Sequence, residues 1–142
     1  MTIETTTNPK QEDLKTISKG IQRYNQQHLP DAVVFEPDTR FAVFAKDDSG
    51  QVVGGIRANA YWNYCSIELL WLSEASRGKG VGTKLIEATE AFASKHRFEY
   101  IRTETTSFQA LPFYKKMGYH VYGELPDFPK GHTIYCLFKA LI

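Results

Sequence analysis

Leu14, Ile17, Ile21 and Tyr24 recur at helical spacing, and the stripe ends at the polar cluster Asn25-Gln26-Gln27. Asn8-Pro9, an N-cap residue followed by a proline, predicts the start of this helix, after a loose Thr5-Thr6-Thr7 tail that could end a short edge strand. Positions 28–40 show no period. With Pro30, Pro37, Asp31, Glu36 and Asp38 they read as a long loop or a broken short helix, the kind of segment that often carries function. Two strand-like runs, 41–46 and 51–57, flank the turn cluster Asp47-Asp48-Ser49-Gly50 and predict a hairpin; the run 65–72, entered through Tyr61-Trp62-Asn63-Tyr64, extends it into a meander. The period then becomes helical from Val81, with Leu85, Ala88 and Phe92 apolar, Ile86 beside them, and cations at Lys95, His96 and Arg97. A strand over 100–105, a short helix from Phe108 to Lys116 closed by Gly118, and strands over 119–125 and 133–141 complete the chain. Pro126 to Gly131 form the last connector.

The order is therefore helix, three antiparallel strands, helix, strand, helix, two strands. It predicts one mixed α/β (α+β) domain over 1–142, built on a central, mostly antiparallel sheet of six strands, or seven with the edge strand, flanked by helices. The helix from Val81 is a crossover, so strands 65–72 and 100–105 should run parallel.

A chain of 142 residues suits one core. Cys65 and Cys136 lie far apart with no C-x-x-C pair, and no His, Cys and carboxylate spacing suggests a metal, so no disulfide scaffold or metal site is expected. Seventeen Lys plus Arg against sixteen Asp plus Glu leave +1, without a basic block, which argues against a nucleic-acid partner. No apolar run is long enough for a membrane span and no leader pattern opens the chain; a cytoplasmic protein without a membrane partner is the expectation.

What composition leaves open is Arg77-Gly78-Lys79-Gly80-Val81-Gly82, placed where a strand turns into a helix. Helix N-termini expose unpaired N–H groups, and glycines let a phosphate approach them. A Walker A loop fails on spacing, because Thr83 stands where its second glycine belongs; the dinucleotide fingerprint G-x-G-x-x-G fails at the same residue. A plain solvated turn is the bland alternative. Yet Arg77, Gly80 and Gly82, between Ile67-Glu68-Leu69-Leu70-Trp71-Leu72 and an amphipathic helix, resemble motif A of the GNAT superfamily of acyl-CoA-dependent N-acetyltransferases, Gln/Arg-x-x-Gly-x-Gly/Ala. Ser107 to Tyr119 resemble a second segment of that superfamily, Asn-x-x-Ala-x-x-Phe-Tyr-x-x-x-Gly-Phe/Tyr, with Ser107 in place of the common Asn. The resemblance spans about Phe41 to Leu141, and the tail 128–133 is similar to a small bacterial branch.

What the resemblance implies is transfer of an acetyl group from acetyl-CoA to a primary amine by direct attack in a ternary complex. Arg77, Gly78, Lys79, Gly80, Val81, Gly82 and Thr83 would bind the CoA pyrophosphate, Leu70, Trp71 and Leu72 would pair edgewise with the pantetheine arm, and Ser107 would stand at a cofactor-contacting position. A backbone N–H near Leu72 would polarise the thioester carbonyl, and Tyr114 would act as general acid. For the base, Glu68, taken to alternate onto the face of Leu70 and Leu72, is the first candidate and Glu104 the second; solvated or paired carboxylates are the plain alternative. His120 and His132 titrate in the useful range but are more simply structural, and Cys136 reads as core packing. The acids of the 28–40 loop, with Glu124 and Asp127, could favour a cationic amine, whether small molecule or peptide. Two rival readings stand beside this one: an acyl-CoA-binding regulatory module in which Tyr114 only packs, and an interaction protein using Tyr61, Trp62 and Tyr64 as a homodimer contact.

Overall fold

The computed structural model describes residues 1–29 and 39–142. One compact unit lies within Met1–Val34 and the other within Phe35–Ile142. The first holds α1 (Gln11–Gln26), which starts three residues after Asn8 with Lys10 as cap residue and no side-chain cap. Asn8 instead donates its N–H to Thr6 Oγ1 at 3.0 Å in a local turn, so the capping role expected for Asn8-Pro9 is not taken up. The expected loop with Asp31, Glu36 and Asp38 lies outside the described residues except for its ends; Thr39 and Arg40 already belong to a strand.

The second unit is built on six strands: β1 (Thr39–Lys46), β2 (Val52–Tyr61), β3 (Tyr64–Leu72), β4 (Tyr100–Thr106), β5 (His120–Pro126) and β6 (Thr133–Ala140). They form one sheet in the order β1-β2-β3-β4-β6-β5. As the pattern predicts, β3 and β4 are parallel and the other pairs antiparallel; the place of β6 between β4 and β5 is a finding of the structure. A one-turn 3-10 helix (Glu74–Ser76), α2 (Val81–Lys95) and α3 (Leu111–Lys116) supply the connections. The β1–β2 turn is set by Asp47, whose Oδ1 accepts the N–H groups of Ser49 and Gln51, each at 2.9 Å. Those bonds, with the Ser49 hydroxyl, hold its carboxyl below the usual range.

α2 buries Leu85, Ile86, Thr89 and Ala93 against the face of the sheet that carries Ile56, Ala58, Ala60, Cys65, Ile67, Ile101 and Leu137. Each of the buried Leu and Ile side chains contributes roughly 1.5–3 kcal/mol. The stripe is rotated from the one expected: Ala88 is exposed, and Phe92 lies at its margin, stacked on Phe41 at 4.2 Å. Thr89 enters the core because its hydroxyl donates to the Leu85 carbonyl at 2.8 Å, leaving no unpaired polar group. Cys65 is fully buried, whereas Cys136 is only half-buried, on the opposite face of β6 from Leu137, and so is not the core residue expected. Gly55 lies so close to β1 that a Cβ would stand 2.8 Å from the Val43 carbonyl oxygen, which explains a glycine mid-strand.

Behind α3 a clasp ties three elements. Lys139 of β6 meets both carboxylate oxygens of Glu90 on α2, at 2.9 and 3.0 Å, and donates to the Met117 carbonyl at 3.0 Å. The buried Tyr119 donates to Glu90 Oε1 at 3.3 Å and stacks under the ammonium.

A cleft where two parallel strands part

β3 and β4 pair only from Tyr64↔Tyr100 to Ile67↔Thr103. Beyond Ile67, β3 stays paired with β2 as far as Gly54↔Leu72, so the edge of residues 69–72 that faces β4 has no strand partner. Ser73 donates its N–H to the Val53 carbonyl at 2.8 Å. Since successive N–H groups of a strand point to opposite edges, those of Leu72 and Leu70 face the open side. The strands diverge into a cleft of about 520 Å³.

Its walls bring together Glu68, Leu70, Trp71, Leu72, Arg77, Gly82 and Tyr114 of the residues expected from sequence, and Glu104 as well. At one end lies the N-terminus of α2. Gly80, in the left-handed conformation at φ 80°, caps it without any side-chain hydrogen bond, and no acid occupies the first turn. The N–H groups of that turn therefore have no intrahelical acceptor and make an anion-binding end. Arg77 lines the cleft and donates from Nε to the Leu72 carbonyl at 3.2 Å, tying the glycine segment to the end of β3. Gly82 stands where α2, α3 and β3 meet: a Cβ there would lie 3.4 Å from the Phe113 ring and 3.6 Å from Leu72 Cδ1, ordinary contact distances. Gly78, Lys79, Gly80, Val81 and Thr83 run past this end without lining the cleft.

Tyr114 is 3% exposed, and burial raises its phenol above the usual value, partly offset by a hydrogen bond with Thr103. Thr103, itself buried, donates its hydroxyl to the Ile67 carbonyl at 3.2 Å, the last paired residue before the strands part. Tyr114 thus lines the cleft beside Thr103, where the two strands part. Sequence reading passed over Thr103; a buried threonine alternating with Ile101 and Thr105 along β4 was its only signal.

Glu68 departs from expectation. The β2–β3 register slips between Arg57 and Ala58, which pair with Leu69 and Ile67, so Glu68 is the extra residue of a bulge. Ile67, Leu70 and Leu72 all pack on the core, while the Glu68 carboxylate meets Arg57 Nε at 2.8 Å. It does not share the face of Leu70 and Leu72. Glu104 is likewise paired, with Arg102 at 2.9 Å; that guanidinium also donates to Tyr122 Oη at 3.0 Å and Ser66 Oγ at 3.1 Å. Neither carboxylate presents a free charge, but each keeps one oxygen outside its ion pair.

Ser107, His120 and His132 lie outside the cleft lining. The Ser107 hydroxyl takes the Thr133 N–H at 3.2 Å and lies 3.2 Å from His132 Nδ1, whose ring packs edge-on against Phe108. His120 stands beside Phe138. Among the described residues no group of three or more His, Cys, Asp or Glu is placed to hold a metal ion, and no helix is long and apolar enough to cross a membrane.

Comparison with known proteins adds an independent line. Residues 7–119 match the family model of the acetyltransferase (GNAT) family. The chain is 36% identical over 103 residues to a blasticidin-S acetyltransferase from Streptomyces morookaense, covering 71% of this chain and 75% of that one. A crystal structure of an acetyltransferase from Bacillus cereus superposes with TM-score 0.85 at 31% identity, over 96% of this chain and 97% of that one. A Bacillus anthracis structure described as a streptothricin acetyltransferase in complex with acetyl coenzyme A shares the fold, with TM-score 0.65 at 22% identity over 80% and 69%.

Proposed function

The chain belongs to the GNAT acetyltransferase family, and we propose that its cleft takes acetyl-CoA along the free edge of β3 and passes the acetyl group to a primary amine of a small molecule. The observation that carries this is the parting of β3 and β4 after Ile67↔Thr103, with an uncapped helix end at one limit of the gap and a buried tyrosine in its lining. The residues fit an extended, amide-bearing anionic ligand. The edge of 69–72 offers unpaired backbone groups, and the α2 N-terminus with Arg77 and Lys79 offers positive potential for a pyrophosphate.

Acetyl-CoA, when bound, supplies the activated acetyl group as a thioester. The chain's own groups then divide the work. The Leu72 N–H, aimed into the cleft with that of Leu70, is placed to stabilise negative charge on a carbonyl oxygen. Tyr114, kept protonated by its burial, donates a proton to the leaving sulfur, and Thr103 holds the phenol until it is needed. An alkylammonium must lose a proton before attack; Glu68, through the oxygen not held by Arg57, accepts it directly or through water. Glu104, across the mouth, receives the acceptor. Because each carboxylate carries its own arginine, selection rests on shape and hydrogen bonding rather than on a bare acidic patch. A small-molecule acceptor is favoured by the likeness to a relative named for acetylating blasticidin S.

The test is calorimetry with acetyl-CoA, followed by free-thiol release over a panel of small amines and peptides. Binding with amine-dependent thiol release is expected. Binding without release for any amine would leave a regulatory acyl-CoA-binding module, and no heat at all would remove the cleft as the cofactor site.

A further inference from the structure

Ser107 and Gln109 sit two residues apart at the turn from β4 into α3, and they use their polar atoms differently. The Ser107 hydroxyl faces away from the cleft, engaged by the Thr133 N–H at 3.2 Å and His132 Nδ1 at 3.2 Å. Gln109 lines the cleft. Its Oε1 accepts the Thr106 N–H at 2.9 Å and lies 3.5 Å from the Thr105 hydroxyl. A backbone N–H can be met only by the oxygen of a side-chain amide, so this contact fixes which way the amide is turned. The remaining atom, Nε2, carries two hydrogens, and no described residue accepts from it. The turn is itself pinned, since Thr105 Oγ1 accepts the Ala110 N–H at 3.1 Å. Gln109 is exposed and lines the cleft, so its fixed turn brings an oriented amide donor to a cleft whose other wall is the free strand edge of residues 69–72. A chain of amides laid against that edge turns alternate carbonyl groups away from it, toward the Gln109 side.

We propose that Gln109 is a cofactor-binding residue, donating from Nε2 to an amide carbonyl of the pantetheine arm of acyl-CoA, a contact Ser107 is turned away from making. This rests on the reading that the cleft takes acetyl-CoA.

The experiment measures CoA and acetyl-CoA binding by calorimetry, and thermal unfolding without ligand, for the wild type, Gln109→Glu, Gln109→Met and Ser107→Ala. Gln109→Glu keeps an oxygen for the Thr106 N–H and nearly the same volume but replaces the donor by an acceptor. Gln109→Met is neutral and separates loss of the donor from added charge; it also gives up the Thr106 N–H contact, so its Kd is read beside its own unliganded Tm, and a Tm more than about two degrees below wild type would assign the weakening to the turn and overturn the contact. Kd for CoA should rise roughly tenfold in Gln109→Met and further in Gln109→Glu, and stay within about twofold of wild type in Ser107→Ala. The unliganded Tm of Gln109→Glu should stay within about two degrees of wild type. Wild-type affinity in Gln109→Met, or weakening confined to Gln109→Glu, would overturn the assignment while leaving the cleft as the cofactor site. A wild type that binds neither CoA nor acetyl-CoA would overturn the cleft reading, and the Gln109 contact with it.

Discussion

Replacing Tyr114 by phenylalanine removes one oxygen from a side chain that is 3% exposed and leaves its ring contacts with Phe113 and Tyr119, at 5.5 Å each, in place. Thr103 keeps its own bond to the Ile67 carbonyl, so no buried donor is stranded. The structural cost is then one hydrogen bond, about 1 kcal/mol, or a fall of roughly 3 °C in Tm for a domain of this size. The catalytic cost is of another order. Loss of a positioned general acid is typically worth a factor of about 100 or more in kcat, or about 2.7 kcal/mol of activation free energy. Burial raises the phenol above its usual 10, so wild type holds the proton through neutral and mildly alkaline pH. The variant should therefore lose kcat evenly below about pH 10 without a new alkaline limb. Steady-state thiol release against pH, paired with acetyl-CoA calorimetry, measures both effects. A kcat within threefold of wild type would refute the acid role. A loss of acetyl-CoA affinity matching the loss of rate would reassign Tyr114 to packing.

Thr103→Val should lower kcat about tenfold with acetyl-CoA affinity unchanged, and Thr103→Ser should restore most of it; a loss in Thr103→Ser beside a wild-type rate in Thr103→Val, read in the same assay, would mean that the methyl and not the hydroxyl matters. Glu68→Gln should cut kcat/KM about a hundredfold, whereas Glu104→Gln should mainly raise KM for the amine; the reverse pattern in steady-state kinetics would exchange the two roles. Lys139→Met leaves Glu90 with only the Tyr119 hydroxyl and should cost about 2 kcal/mol in urea unfolding, since the pair is only partly exposed. Cys65 is pushed up to about 12 from 9.0 by burial, so an unfolded chain sheds this proton near pH 9 while the folded one holds it. That contribution is complete below pH 9 and fades above it by at most about 1.4 kcal/mol per pH unit. Urea unfolding of Cys65→Ala from pH 8 to 11 should show a shallower alkaline decline than wild type, and parallel curves would remove the thiol from the account.

The chain order of the elements, the β1–β2–β3 meander and the parallel β3–β4 pair were legible because they follow from period and a helical crossover, properties that short windows of sequence carry, whereas the place of β6 between β4 and β5 depends on long-range pairing. The same logic failed at Glu68 for a definable reason. Strict alternation assigns faces only while the register is unbroken, and one extra residue opposite Arg57 and Ala58 reverses every face beyond it. Ile67 and Leu70 could not otherwise both reach the core, three positions apart on one strand. The bulge also sits one residue beyond the last β3–β4 pair, so one irregularity that turns Glu68 outward coincides with the start of the cleft. Helix starts were misjudged for a milder reason: Asn8 had a local partner in Thr6, and local hydrogen bonds compete with capping. Ser107 and Gln109 show the remaining gap. Both stand in a recognisable segment, but Gln109 lines the cleft and Ser107 does not, and their polar atoms are claimed by Thr106 and Thr133, the latter 26 residues along the chain from Ser107. Residue type can be carried over from a motif, whereas the direction of a hydroxyl or an amide is set by whichever backbone group claims it first. Candidate substrate-facing groups are therefore best sought among the polar atoms of the cleft lining that the fold leaves unclaimed, a criterion that selects Gln109 Nε2, the Leu72 N–H and the free oxygens of Glu68 and Glu104.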